Sequence, residues 1–495
     1  MKKQTLFRLV KAVCFCALLS VCLSAATRLT QRKASLNRMG PLLENPTAYD
    51  VIFTGNSHMV NSVLPQELWR EYGIAAYNAA SYGNMMPMTY WTSTILFDHY
   101  ATPKLLVVDV KDVGSDAKLT GSSADAHTAL DCFPLTLTKA RAIEDLMSDP
   151  TLTDDDGNHY SEIKSEYYFP LAKYHSRWSA LGDGDFHPRH TREKGGELAI
   201  GVATPRDYDI TDSAGDEYGV GFQYLRRLIE ECQRRGVEVL LTHLPYPATD
   251  EEQVVANTVR YIADEYGVNY IDFVSLDQVV DYETDCFDFN SHQNASGAQK
   301  ITDYLGRYIR DHYDLPDHSG DADWAAGYNA YYEEKLGHLR AECNPASALM
   351  LLHDRSLSAV IAFSEDSAVY ADEKLMRLVH NAAREHIYEE DAYAKWSSAL
   401  FPLDGLEDAA YDGEACLIVL DRGSGVITQV PGGSAELETS FGALCASMEG
   451  GALSLTLSRE GGPAFTLNDS PCHDVRILVI DGRTGDVAAS PAFDL

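Results

Sequence analysis

Five short apolar runs, each separated from the next by helical patterning, constrain this chain more than any other feature. They are Asp50-Val-Ile-Phe-Thr54, Ile74 to Asn78, Lys104-Leu-Leu-Val-Val-Asp-Val110, Val237-Glu-Val-Leu-Leu-Thr-His243 and Val268-Asn-Tyr-Ile-Asp-Phe273. Between and after them, helices are expected at Pro65 to Tyr72, Met86 to His99, Phe222 to Cys232 with Gly236 as its stop, and Val254 to Tyr266. A last helix is expected behind a Ser296 cap, with Ala298, Ile301, Leu305 and Ile309 on one face. Near-continuous apolar strands alternating with helices specify an α/β fold, a parallel sheet covered by helices on both faces. Such sheets place their chemistry at the carboxyl ends of the strands.

The rhythm fails twice. From about residue 111 to 216 the chain is rich in aromatic residues, His and Asp, which reads as an insertion between the third and fourth strands. From Asp321 onward a helical linker (Trp324 to Leu339) leads to short alternating strands at Ala415 to Leu420, Leu453 to Leu457 and Val475 to Ile480. The expected organisation is an α/β domain over 48–315 and a β-rich accessory domain over 321–495 that folds apart and supplies no catalytic residue.

The N-terminus begins Met-Lys-Lys, adds Arg8 and Lys11, then runs apolar from Ala12 to Ala26. A basic start before an apolar core is the pattern of a secretory signal. Fifteen residues fall short of the roughly 20 that span a bilayer. Residues 1–27 are therefore either a cleaved signal or a retained anchor, and both place the rest outside the membrane. With 40 basic and 74 acidic residues the net charge is −34, the opposite of a nucleic-acid footprint. The ten cysteines include no C-x-x-C pair beyond the leader, which argues against a structural zinc. No cofactor or metal is expected: Pro188 spoils a helical pair from His187 and His190, and Asp154-Asp-Asp-Gly-Asn158 lacks the spacing of a calcium loop.

Gly55-Asn56-Ser57-His58 closes the first strand, and Asp288-Phe-Asn-Ser-His292 precedes the last helix. A serine needs a base to become a nucleophile, and a histidine oriented by a carboxylate supplies one. Gly83, after the second strand, lets a bare backbone N–H approach an oxyanion beside the Ser57 N–H. Each motif alone is commonplace; their order along the α/β rhythm is what joins them.

The segments Asp50-Val-Ile-Phe-Thr-Gly-Asn-Ser-His58, Tyr77-Asn-Ala-Ala-Ser-Tyr-Gly-Asn84 and Asp285-Cys-Phe-Asp-Phe-Asn-Ser-His292 resemble the first, second and terminal blocks of the SGNH (GDSL-like) hydrolase superfamily. The resemblance covers roughly residues 48 to 313. Leu130 to Lys139 and Phe169 to Trp178 bring it closer to membrane-anchored SGNH-like proteins of Gram-positive bacteria, related to alginate O-acetyltransferase-like and D-alanyl-lipoteichoic-acid proteins. It implies a flavodoxin-like three-layer sandwich and a Ser57–His292–Asp288 triad, with the Ser57 and Gly83 amides, and Asn84, at the oxyanion. It implies an esterase or O-acyltransferase acting on a cell-surface polysaccharide or teichoic-acid-like polymer. Arg177 and His58 are expected to touch substrate. Two departures stand out. Three residues rather than two separate Asp288 from His292, with Asp285 as a rival acid, and Asp109 stands where the third block carries asparagine. That second departure leaves a non-catalytic surface binding protein as the alternative. The C-terminal stretch Asp474 to Leu495 resembles the end of an ILEI/FAM3-type domain, some of which bind sugars.

Overall fold

The computed structural model describes residues 2–206, 208–276, 279–383, 414–459 and 461–495. Its first helix, α1 (Lys2–Thr30), is continuous over 29 residues. The stretch Gln4–Thr30 is long and apolar enough to cross a membrane, with mean hydropathy 2.2. At 1.5 Å per residue, α1 is about 40 Å long, against a hydrocarbon core of about 30 Å. The apolar run is longer than Ala12 to Ala26 because Leu6, Phe7, Leu9 and Val10 extend it past Lys11. The residues that follow pack against the fold. In α2 (Ala34–Glu44), Arg38, Met39 and Leu42 are buried, and Arg38 donates to the Gly195 carbonyl at 3.0 Å.

The strands β1 (Val51–Thr54), β2 (Ala76–Asn78), β3 (Leu105–Asp109), β4 (Glu238–His243) and β5 (Asn269–Asp272) form one sheet in the order β2-β1-β3-β4-β5. Every pairing is parallel, and the order is the flavodoxin-like one. Alternate residues face opposite layers. Val51, Phe53, Leu105, Val107, Leu240 and Ile271 share a core with α3 (Ser57–Ser62), α4 (Pro65–Tyr72) and α13 (Ala295–His312). Ile52, Leu106, Val108 and Leu241 face α5 (Met86–His99) and the later α11.

The interval between β3 and β4 is helical: α6 (Ser123–Leu130), α7 (Leu137–Met147), α8 (Tyr160–Tyr168), α9 (Leu171–Tyr174), a 3-10 turn at His175–Ala180 and α10 (Asp183–Phe186). It holds the end of α1: Gln31 donates to the Asp131 carbonyl at 3.3 Å, Ser35 to that of Thr128 at 2.6 Å, and Arg177 to that of Thr30. Around this junction Phe169, Trp178 and Phe186 are exposed.

The chain then alternates α11 (Gly219–Arg235), β4, α12 (Asp250–Tyr266), β5 and α13 (Ala295–His312). Gly236 ends α11 in the left-handed conformation, as expected. The cap of α13 differs from expectation. Asn294, not Ser296, caps it, accepting from the Ser296 and Gly297 amides, because the Ser296 hydroxyl is turned to Asp285.

Helix α14 (Ala322–Ala341) buries Trp324, Tyr328, Tyr331, Tyr332, Leu336 and Leu339, so it is a packed element rather than an exposed spacer. After α15 (Pro345–Leu351), the strands are β6 (Leu357–Phe363), β7 (Cys416–Asp421), β8 (Val426–Pro431), β9 (Ala435–Thr439), β10 (Gly442–Glu449), β11 (Ala452–Ser458), β12 (Phe465–Asp469), β13 (Val475–Asp481), β14 (Val487–Ala489) and β15 (Ala492–Phe493), with α16 (Glu373–Ala383) following β6. They form an antiparallel sheet β14-β13-β6-β7-β8, with β15 on β13, and a second sheet β12-β11-β10-β9. Val360, Leu417 and Leu478 on one face of the first sheet meet Leu444, Leu455 and Leu457 of the second. The opposite face, with Ile361, Ile418 and Ile477, joins the same core as Trp69, Trp324 and the α/β layer. The β-rich part therefore shares a continuous apolar core with the α/β part.

Candidate functional site

Strand β1 is followed by Gly55, at φ +147°, where a Cβ would lie 2.7 Å from the Asp109 Cβ of β3. Only glycine admits that close approach. Asn56 then caps α3 by accepting from the His58 amide at 2.9 Å, and its side-chain amide donates to Asp112 at 2.5 Å. Ser57 is thus the first residue of α3, at the carboxyl edge of the sheet. Its hydroxyl lies 2.8 Å from His292 Nε2, and His292 Nδ1 lies 2.8 Å from Asp288 Oδ2. Only 15% of the His292 side chain and 30% of the Asp288 side chain is exposed, which partly shields the relay from water while leaving an opening to it.

The three-residue spacing is accommodated by a compact loop. Asp288 Oδ1 accepts from the Asn290 and His292 amides, and Ser291 adopts φ +65°. That left-handed residue, strained for a side-chain-bearing amino acid, turns the chain so that the imidazole returns over the carboxylate. Below the loop, the Phe287 amide donates to the His292 carbonyl and the Asn294 amide to that of Asp285. Asp285 is occupied elsewhere. Fully buried, it holds Lys300, the Ser296 hydroxyl at 2.7 Å and the Asp281 amide at 2.7 Å. Of the two acids the sequence offers, Asp288 faces the imidazole and Asp285 anchors α13.

The turn after β2 is tied to the Ser57 loop, since the Ser81 amide donates to the Gly55 carbonyl at 3.1 Å. This brings residues 81–84 alongside residues 55–57. Gly83 has φ +64°, and a Cβ there would meet the Asp125 carboxylate at 2.8 Å. Asn84 is buried, borders a small cavity with Arg38, Met39 and Phe133, and its Nδ2 has no hydrogen-bond partner among the described residues.

Two expected substrate contacts lie elsewhere. His58 is 1% exposed, so it cannot reach a substrate in this conformation. Its ring packs 4.8 Å from that of His292 and 5.3 Å from that of Tyr246. Burial, together with the nearby charges of Lys111, His292 and His243, holds it well below the usual histidine range, hence neutral. Arg177 pairs with Asp185 at 3.0 Å and donates to the Thr30 carbonyl, so it fastens α1 to the insertion.

A second Asp–His pair stands at the sheet's edge without a motif to mark it. His243 Nδ1 lies 2.9 Å from Asp272 Oδ1, at the carboxyl ends of β4 and β5. His243 also packs edge-on to Tyr246. Both residues close apolar strand runs, the signal that would have marked them. Beside them Asp109 is buried and pushed up to about 6 by desolvation and the neighbouring Asp112, against His243 and the Leu244 amide. Its Oδ2 has no hydrogen-bond partner among the described residues.

No family model matches the chain, and no curated protein matches it either.

Proposed function

We propose that the chain is an SGNH-like serine esterase or O-acyltransferase, held at a membrane by α1 and acting on acyl esters of a glycan outside the cell. The observation that carries this reading is the continuous Ser57–His292–Asp288 relay, with 2.8 Å at each link. Ser57 Oγ attacks the acyl carbon while His292 Nε2 takes its proton. Asp288 fixes the tautomer with the proton on Nδ1 and stabilises the imidazolium that forms. The oxyanion develops towards the Ser57 amide and the Gly83 turn. His292 then protonates the leaving alcohol, and the acyl-enzyme passes its acyl group to water or to a second sugar hydroxyl. Placement at a membrane is supported by the length of α1 and by the exposed Phe169, Trp178 and Phe186 at its base, since aromatic side chains favour the headgroup layer. A fluorophosphonate probe is expected to label the full-length protein in detergent, and Ser57→Ala to abolish labelling. Labelling that survives the substitution places the nucleophile elsewhere.

One observation favours the non-catalytic alternative: the Asp109 carboxylate beside Gly55, which opposes a developing oxyanion. It also makes a pH-dependent prediction. Because the folded pKa of about 6 lies above the ordinary 3.8, Asp109 lowers stability as pH rises from about 4 to 6, and the loss persists above that. Asp109→Asn keeps the acceptor for the Leu244 amide and offers an N–H at the unpartnered Oδ2 position. It is expected to raise stability by about 2–3 kcal/mol at pH 8 but little at pH 4, and to speed hydrolysis of an aryl ester more at pH 8 than at pH 5.5. Thermal denaturation and initial rates at the two pH values check both parts. A variant that is no more stable at pH 8 refutes the charge argument.

A further inference from the structure

In a protein of net charge −34, one cavity is lined by arginine. It holds about 590 Å³ and lies where the β7–β8, β9–β10 and β13–β14 turns meet α4. Arg70, Arg355, Arg422, Arg459 and Arg483 line it, and no Asp or Glu does among the described residues. Each guanidinium is braced by groups outside the lining. Arg70 pairs with Glu71 at 2.7 Å, Arg355 with Asp303 at 3.2 Å, Arg483 with Asp481 at 3.0 Å and Arg459 with Asp486. Arg422 donates to the Leu352 and Ala382 carbonyls. Arg483 also lies flat on the Tyr332 ring, 3.5 Å from its centroid.

This bracing fixes the forks before any ligand arrives. A guanidinium has five N–H donors. Arg483 spends most of its own on Asp481, Asn329 and Glu333, whereas Arg355, held by Asp303, and Arg459, held by Asp486 and the Thr484 carbonyl, keep donors for a second anion. Arg355, Arg459 and Arg483 are each more than a quarter exposed, so water and solutes reach the wall. Ser358, Thr439 and Thr484 add hydroxyl-bearing residues to the lining. The volume falls within the roughly 300–1,000 Å³ typical of small-ligand sites.

We propose that this cleft binds an anionic sugar unit, its phosphate or carboxylate held by the arginine forks and its hydroxyls by the serine and threonine side chains. The site is independent of the chemistry at Ser57. The negative surface outside the cleft repels anions that lie within a Debye length of it, about 8 Å at physiological salt, so the site works through short-range contacts inside the cleft. A long nucleic acid would meet that repulsion along its whole length, whereas a sugar unit seated in the cleft would not.

Isothermal titration of the full chain in detergent tests the assignment, with glucose 6-phosphate as probe and glucose as control. Glucose 6-phosphate is expected to bind and to weaken as salt rises, while glucose gives no heat. Arg459→Gln and Thr484→Glu, at solvent-reached positions, are each expected to weaken binding at least tenfold with unchanged melting temperature. Arg459→Lys is expected to retain most of it. Tighter binding of a glycerol phosphate oligomer than of glucose 6-phosphate identifies a polymer repeat as the natural source; equal binding identifies a free sugar phosphate. No binding by the wild type, or equal binding by both folded variants, overturns the proposal. Binding of an oligothymidylate as tight as that of glucose 6-phosphate overturns the sugar assignment.

Discussion

His292→Ala is expected to slow hydrolysis of an activated aryl ester by about 10⁶-fold, as is Ser57→Ala, and the double variant to be no slower than either. Non-additivity of that kind follows if the two groups act in one proton transfer, which their 2.8 Å separation permits. Asp288→Asn is expected to cost about 10⁴-fold in kcat, because an amide no longer selects the tautomer that leaves Nε2 free to accept the Ser57 proton. The informative control is Asp285→Asn. Its carboxylate holds Lys300, Ser296 and the Asp281 amide inside the protein, so its loss is expected to lower the melting temperature rather than reproduce the kinetic effect. Stopped-flow rates and melting curves on the five variants separate the two behaviours. Additive losses for Ser57 and His292 would exclude a shared relay, and a kinetic loss in folded Asp285→Asn with none in Asp288→Asn would reassign the acid.

Lys335→Met is expected to destabilise the protein by about 3–5 kcal/mol, the usual result of leaving buried carboxylates without their cation. Lys335 Nζ lies 2.8 Å from Glu67 and 2.5 Å from Asp354, and the three side chains are 4%, 0% and 3% exposed. Burial opposes ionisation of Asp354, and the charges of Lys335 and Arg70 more than offset it, holding the carboxyl below its usual range. That stabilisation is present at neutral pH and is lost as pH falls through the acidic range, below the ordinary carboxylate value. Glu67 belongs to α4, Lys335 to α14 and Asp354 precedes β6, so the cluster ties the α/β layer to the β-rich part. A cut near residue 320, which the sequence suggests would spare the first part, is accordingly expected to give insoluble protein. It would uncover Trp69, which packs 6.1 Å from Trp324, and the apolar core shared with α14, and would take Lys335 away from Glu67. Denaturation midpoints of Lys335→Met and the solubility of the truncated chain check this. A truncated chain that is soluble and still labelled by fluorophosphonate would show that the two parts are separable.

Local regularities were open to reading because they are written in contiguous residues. The five apolar runs recur as β1 to β5, and Pro65–Tyr72 and Met86–His99 are helices with the bounds the sequence gives. A parallel strand must be apolar on both faces and a covering helix on one, so each declares itself within a dozen residues. Ser57 and the Asp288–His292 loop could be paired across 235 positions because the sheet's carboxyl edge collects strand ends in one place.

What the tertiary structure decided depended on partners distant in sequence. Asp285 and Asp288 are indistinguishable as residue types; Lys300 and Ser296 in α13 and the Asp281 amide take the first away from His292. Arg177 and His58 read as substrate contacts because their types suit that task, but Asp185 and the end of α1 claim one, and the rings of His292 and Tyr246 enclose the other. The sequence marks α14 as helical without saying which of its faces is buried or against what. Its Trp324, Tyr328 and Lys335 meet Trp69, Arg70 and Glu67, and that packing, rather than any local propensity, joins the two parts of the chain. Sequence periodicity fixes which side chains avoid water; which charges and rings they then meet is set by close packing between segments whose separation along the chain carries no signal.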